Sequence, residues 1–535
     1  MLTPSNITGF DPQNNRNLWV SYITPKDRIY LRLEGKHGLG IPIRKRVPFY
    51  IFRSFLQPLS KFVHPKWVKL MSAPDGDFYE EPYNQDGLKN ILMFGVIAQG
   101  DPSVDKIRKF FQDYVLNYKN FRGQSPYQKL QYYFGSWLSY PFWKRAKNFD
   151  LNHHIRLLSE FEDSPCTSQE ELEMFLGEYI SMPFGWKRPP WELLVVKNFV
   201  AEKNEEIQSL YQCANFRKDK KFVLLFRWHH ALADGESVAQ IFINIFGGET
   251  FSPLRRQPFF DEHNLWADLK FYSRGLLRLG YDTLKLWALE NDRNIWRISD
   301  EIISGNYHLV TTHKLPYNVA RTVSKKNRAS VTTVLFASVA GGIRQYFIEA
   351  GQQRRIPKEM RVRVTVPIVK HAFNRLTNYC RSYTNITLPV GQKVQIERFA
   401  QVSKVVELLR KALVPSFVWF IRPIHAALPI WLSNFNIKDR RTTLAGWHFP
   451  GPKQELLLFG EYMVQDLLSY HPRLLTDAAI GLSIFSYNGA IRFSLCVDKT
   501  LFPHRESALK LARLIEMEFL SFQEMNHPSD NERER

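Results

Sequence analysis

An apolar run, Lys221 to Phe226 (KFVLLF), leads without a break into Arg227-Trp228-His229-His230-Ala231-Leu232-Ala233-Asp234-Gly235, and this junction constrains the fold more than any other part of the chain. The run has the length and the apolar content of a buried strand, while Gly235 to Phe246 (GESVAQIFINIF) has helical spacing. The histidines therefore stand where a strand turns into a helix, a place from which side chains point into a cleft. Adjacent strand residues face opposite sides, so only one of His229 and His230 faces a given pocket and the other packs behind it. His230 is the candidate for the pocket side.

A neutral imidazole, with an ordinary pKa of about 6.5, can take the proton of an alcohol or amine as it attacks a thioester. That is general base catalysis without a protein nucleophile. Asp234, four residues on, is expected to pair with an arginine and lock the turn without reacting, and Gly235 to allow tight backbone geometry and close approach to substrate. Two other readings fit the same residues: a polar strand end, or a metal site. The metal reading is the weaker rival, because adjacent strand residues diverge and neither HExxH nor CxxC spacing accompanies them.

At 535 residues with 44% apolar and 14% aromatic content, the chain can bury large cores and is expected to form two or three domains. Its formal net charge of +20 suits anionic lipid, the phosphates of coenzyme A or a generally basic surface. No zinc-finger spacing or RNP-like strand points to nucleic acid. Cys166, Cys213, Cys380 and Cys496 lie far apart without metal or redox spacing, which suggests a reduced, intracellular setting. Residues 1–17 have neither the basic n-region nor the apolar h-region of a signal peptide.

The HHxxxDG pattern resembles that of the CoA-dependent acyltransferase superfamily, which includes chloramphenicol acetyltransferase, condensation domains of peptide synthetases and wax ester synthase/diacylglycerol acyltransferases. An ordered series of segments narrows the resemblance to the last group. Phe149-Asp150-Leu151-Asn152-His153-His154-Ile155-Arg156 is similar to its "FDLxxHV" strand, and Pro183 to Glu192 (PFGWKRPPWE) to its "PLDRSRPLWE" segment. Ser330 to Leu335 through Arg344-Gln345-Tyr346 is similar to "VNDVVLA…GALRRYL", and Met360 to Pro367 (MRVRVTVP) to "LRALVPVS". Asn378 with Asn385 to Val390 is similar to "GNR…LPLP", Phe449-Pro450-Gly451-Pro452 to "NVPGP", and Leu482 to Asp498 to the closing hairpin. The series runs from Asp77 to His504.

The resemblance implies an α/β chain of two chloramphenicol acetyltransferase-like lobes, mixed sheets flanked by helices, around a channel with HHxxxDG midway along it. The expected organisation is a membrane-associating N-terminal extension at 1–76, a first lobe at 77–250, a helical crossover at 251–300, a second lobe at 301–525 and a loose tail at 526–535. The implied activity is transfer of a fatty acyl group from acyl-CoA, a co-substrate with no further cofactor, to a long-chain alcohol or diacylglycerol. His230 is the expected base, with His229, Asp234 and Gly235 around it. Such an enzyme is expected at an intracellular membrane or lipid-droplet surface. The family's Asn-Asp pair is replaced by Thr332-Thr333 and the glycine before Asn378 by Thr377. Thr332 and Asn378 are the candidate oxyanion donors, each worth roughly 3 kcal/mol of barrier if it acts so. Arg188, Trp191 and Glu192 are expected to brace the lobe through a buried salt bridge and an aromatic plug. The departure at Thr332-Thr333 keeps open a non-catalytic lipid-binding protein on the same scaffold. Amide-forming condensation would call for carrier docking and synthetase modules, and none is read within this sequence.

Local signals place strands at Ile91 to Ala98, His154 to Ser159 and Trp191 to Val200, a helix at Ser103 to Tyr118, and a capping box at Ser168 and Glu171 before a helix ending near Ile180. Asn488-Gly489 between two apolar runs predicts a two-residue hairpin. Val47 to Val63 and Val414 to Leu432 carry aromatic residues, prolines and charges, so each is an interfacial helix or a core helix and neither is a convincing span.

Overall fold

The computed structural model describes residues 17–21, 30–34, 43–64, 67–76, 78–79, 83, 90–120, 123–160, 168–200, 220–246, 292, 294–296, 304–367, 376–378, 381–412, 415, 427–430, 442–472 and 478–525. The strand predicted before the histidines extends over Lys221–His229 and has neighbours on both sides. Its two faces are both buried, which explains why it reads as a continuous apolar run and not as an alternating one. Phe222, Leu224, Phe226 and Trp228 enter one core and Val223 and Leu225 another.

This strand is central in a six-stranded mixed sheet, in the order 457–458, 462–470, 91–99, 221–229, 191–196, 155–157. A second sheet of seven strands runs 307–311, 490–498, 480–487, 444–450, 360–367, 381–388, with Leu315–Pro316 beside 490–498. Helices Val331–Glu349, Gln395–Lys411 and Arg505–Ser521 cover it and share its core. The molecule is thus the α/β, two-lobed assembly the resemblance implied.

Two features depart from a division by sequence order. Tyr462–Tyr470, from the expected second lobe, pairs antiparallel with Ile91–Gln99 in the first sheet. Trp67–Leu70, from the expected N-terminal extension, pairs with Tyr140–Arg145 in a three-stranded sheet completed by Tyr132–Trp137. Trp67–Leu70 is thus paired with strands from 77–250, and the first sheet includes a strand supplied from beyond residue 301. A core of residues from both halves, including Met93, Leu176, Leu225, Leu309 and Leu468, fills the junction.

Several local predictions map onto these elements. Ser168 and Glu171 form the reciprocal capping box of Gln169–Tyr179. Ile480–Tyr487 and Ala490–Asp498 form the hairpin, with Asn488 at φ 42° and Gly489 at φ 76°, both left-handed as a type I′ turn requires. Met360–Pro367 is a strand. The strand at 155–157 and that at 191–196 are shorter than expected, and Val104–Phe111 passes into a π-helical turn at Gln112–Leu116. Most of the predicted crossover 251–300, most of 414–432 and the tail 526–535 lie outside the described residues. Among the described residues one helix, Val331–Glu349, is long and apolar enough to cross a membrane, and most of it is buried in the second core.

Two predictions follow from this packing. Gly177 lets Gln169–Tyr179 lie directly on the Tyr307–Thr311 strand: a Cβ there would sit 2.6 Å from the Tyr307 carbonyl oxygen. Backbone cannot yield as a side-chain tip does, so Gly177→Ala should cost about 1–3 kcal/mol in urea unfolding. An unchanged midpoint would contradict the close approach. His154 is buried against Trp191, with Nδ1 2.8 Å from the Trp191 carbonyl, and burial lowers its pKa from 6.5 to about 4. Its folded value lies below its unfolded one, so the stability of the neutral ring is present above about 6.5 and is lost as pH falls toward 4. His154→Asn should shrink the fall in Tm across that window.

Candidate active site

The end of the Lys221–His229 strand is held from three directions. The His230 amide donates to the Asn90 carbonyl (2.7 Å), Trp228 Nε1 to the Ala233 carbonyl (2.9 Å), and the Asp234 amide to the Thr377 carbonyl (2.9 Å). The two histidines diverge as strand alternation predicts. His229 is fully buried, its ring edge-on to Phe134, and its Nδ1 accepts from the Ala231 amide at 3.2 Å. His230 stacks on Phe78, centroids 3.6 Å apart and planes within 10°.

His230 Nδ1 lies 3.1 Å from Asn378 Oδ1. The amide's orientation follows from its other contacts: its nitrogen faces Asp75 Oδ1 at 3.0 Å and the Ala231 carbonyl at 3.2 Å, and both are acceptors. The NH2 group must therefore point at those two atoms, and the oxygen at His230. An acceptor facing Nδ1 requires Nδ1 to carry the proton, which puts the ring's basic lone pair on Nε2.

Asp75 is buried, and its second oxygen pairs with Lys129 Nζ at 2.8 Å. Lys129 also donates to the Leu232 carbonyl (3.2 Å) and lies over the Trp143 ring. Burial pushes the Lys129 pKa down, and the Asp75 charge opposes that shift. A chain of contacts thus runs Lys129–Asp75–Asn378–His230, joining residues from four separate segments.

The remaining candidates divide. Asp234 caps helix Gly235–Gln240, its carboxylate accepting from the Ser237 amide at 2.8 Å, while Ser237 Oγ donates to the Thr377 carbonyl at 3.0 Å. Gly235 is required by a protein neighbour and not by positive φ: a Cβ would sit 2.7 Å from the Trp447 ring of the second sheet. Asn378 is brought to His230, but its two amide hydrogens go to Asp75 and Ala231, which corrects the expectation that it donates to an oxyanion. Thr332 Oγ1 lies 3.3 Å from His448 Nδ1, and no described contact links it with His230. Trp191 is the expected plug, stacked with Phe111, His154 and Phe226, its Nε1 donating to the Leu130 carbonyl at 2.8 Å. Glu192 does form the salt bridge, with Arg156 at 3.0 Å and Arg227 at 3.2 Å. Arg188 does not share it: that side chain is exposed, next to Lys187 at φ 56°. No group of three or more His, Cys, Asp or Glu side chains gathers as metal ligands among the described residues.

Asp75, Lys129 and Phe78 escaped the sequence reading. The one local signal for Asp75 was its place in Pro74-Asp75-Gly76, the first acidic residue after a long acid-free stretch, and that reads as a turn.

Residues 380–519 match the family model described as the WS/DGAT C-terminal domain. This stretch is similar to such a domain. It begins just after Asn378 and contains the strand that crosses to the first sheet. No curated protein matches the sequence. The wax ester synthase/diacylglycerol acyltransferase from Marinobacter aquaeolei VT8 superposes with a TM-score of 0.54 at 16% identity, over 85% of this chain and 100% of that one. The trichothecene 15-O-acetyltransferase from Fusarium sporotrichioides gives 0.56 at 10% identity, over 84% and 94%. The starter condensation domain of rhizomide synthetase, in a complex with C8-CoA, gives 0.52 at 12% identity, over 87% and 97%. These likenesses establish the two-lobed fold, and the match to the WS/DGAT C-terminal domain supports an acyltransferase.

Cutting the chain of contacts at its ion pair should expose its energetic weight. Lys129→Met leaves the Asp75 charge buried and should lower stability by about 3–5 kcal/mol in urea unfolding. Adding Asp75→Leu should restore part of that loss, because no charge then remains to be compensated. Strictly additive losses in the double variant would contradict the pairing.

Proposed function

We propose that this chain is an acyl-CoA-dependent O-acyltransferase that moves a fatty acyl group to a long-chain alcohol or diacylglycerol, with His230 as general base. The observation that carries the reading is the His230 Nδ1 to Asn378 Oδ1 contact, in an amide oriented by Asp75, which puts the basic lone pair on Nε2. The C8-CoA held by the rhizomide synthetase domain supports acyl-CoA as the donor, and the Marinobacter aquaeolei wax ester synthase/diacylglycerol acyltransferase supports these acceptors.

In the proposed reaction, His230 Nε2 removes the acceptor's hydroxyl proton as its oxygen attacks the thioester carbonyl. The tetrahedral oxyanion collapses, the C–S bond breaks, and the imidazolium returns the proton to the leaving thiolate. Ester and free coenzyme A result, with no covalent protein intermediate. Asn378 accepts from Nδ1–H throughout, and the Asp75 carboxylate polarises that amide, so the positive charge that develops on the ring meets a negative field. Holding both substrates beside one ring supplies much of the acceleration. Asn378 is not the oxyanion donor in this scheme, because its amide hydrogens go to Asp75 and Ala231.

Labelled palmitoyl-CoA incubated with the purified chain and either hexadecanol or a diacylglycerol should yield labelled ester, and His230→Ala should abolish it. Asn378→Ala should lower kcat by roughly 100-fold with KM little changed, because the ring is still present but no longer held in one tautomer. Ester from neither acceptor would sink the reading in favour of a lipid-binding protein on this scaffold. Equal rates for wild type and His230→Ala would remove the histidine from the chemistry.

A further inference from the structure

Helix Ile43–Val63 packs one face on the protein and leaves a second apolar face outside. Its inner face is fixed: Leu56 is fully buried with Tyr140 and Phe142, Arg53 donates to the Met71 carbonyl, and Gln57 Oε1 accepts from the Leu70 amide at 2.6 Å. Outward stand Ile51, Phe52, Phe55, Leu59, Phe62 and Val63, with Phe55 65% and Phe62 87% exposed. At 3.6 residues per turn these six fall within an arc of roughly 120°. Ser54, Gln57 and Lys61 occupy the next arc. Scattered exposed apolar residues are ordinary on a soluble protein, but a contiguous aromatic stripe marks an interaction surface.

The charge around the stripe selects its partner. Between Glu34 and Asp75 the sequence has eight Lys or Arg residues and no Asp or Glu. Three of them, Arg44, Lys45 and Arg46, lie in the first turns of the helix. A second copy of the chain would bring the same excess of positive charge face to face with itself, whereas an anionic lipid surface is attracted, by roughly fivefold in partitioning for each basic residue near it. The helix is not a span: Pro48 and Pro58 lie inside it, and Arg53 is engaged by the protein.

We propose that Ile43–Val63 lies in the plane of an anionic lipid surface, its Phe55 and Phe62 stripe in the acyl region and its basic residues other than Arg53 at the headgroups. The inference stands on the helix and its charge alone, whether or not the acyltransferase reading holds. It also sets an orientation, because the chain leaves the helix at Val63, forms the Trp67–Leu70 strand and reaches Asp75, which accepts from the Asn378 amide that faces His230. The lipid-facing helix is thus one short strand away from the candidate site.

Co-sedimentation of the full chain with extruded vesicles tests this. Wild type should bind phosphatidylcholine vesicles containing phosphatidylserine at least about tenfold more tightly than pure phosphatidylcholine, and less tightly as salt rises. The variant Phe55→Glu/Phe62→Glu should lose about tenfold or more of that binding, while its circular dichroism and Tm stay at wild-type values because both side chains are exposed. Unchanged vesicle binding by the folded variant would overturn the proposal. So would equal binding to neutral and anionic vesicles, or a wild-type dimer in light scattering that the variant converts to monomer.

Discussion

The state of the His230 ring depends on a carboxylate it does not touch. Asp75 accepts from the Asn378 amide, that amide can then present only its oxygen to His230, and the ring responds by protonating Nδ1. A buried carboxylate is costly unless it is paired, by several kcal/mol after relaxation, and Lys129 supplies the pairing. The ion pair therefore has two consequences. It compensates a charge that the interior would otherwise reject, and it sends the direction of that charge through one amide into the choice of histidine tautomer.

That relay holds only if the halves of the chain are locked together. Tyr462–Tyr470 extends the first sheet from the second half, and the mixed core around Leu225, Leu309 and Leu468 closes the junction. At two points the approach is too close for any side chain: Gln169–Tyr179 rests on the Tyr307 backbone through Gly177, and Trp447 fills the space in front of Gly235. The glycine of HHxxxDG is thus an inter-sheet contact. Asp234 beside it caps a helix, and the Asp234 amide and Ser237 hydroxyl of that turn converge on the Thr377 carbonyl, which positions Asn378 next in sequence.

Much of the fold and part of the site were legible in the residues. The strand before the histidines, the divergence of His229 and His230, the capping box at Ser168 and the Asn488-Gly489 turn all follow from chemistry within a few residues. The Trp191 plug and the Glu192 salt bridge were expected by type. The partner was misjudged, because Arg188 is adjacent in sequence while Arg156 and Arg227 are adjacent in space. Thr332 was weighed as a donor on its place in a motif, and the fold sets its hydroxyl 3.3 Å from His448 Nδ1. Nothing near Lys129 or Phe78 separates them from ordinary surface or core residues.

The sequence by itself determined the short-range elements: a buried strand ending in two histidines, the helix that follows, the caps and the closing hairpin. Alternation, helical period and turn geometry are properties of neighbouring residues, and they need no partner to be read. Tertiary structure alone decided which histidine nitrogen carries the proton, which strand crosses between the sheets, and which carboxylate stands behind the site. Those outcomes depend on groups far apart in the chain meeting at hydrogen-bond distance, and linear spacing holds no record of such meetings.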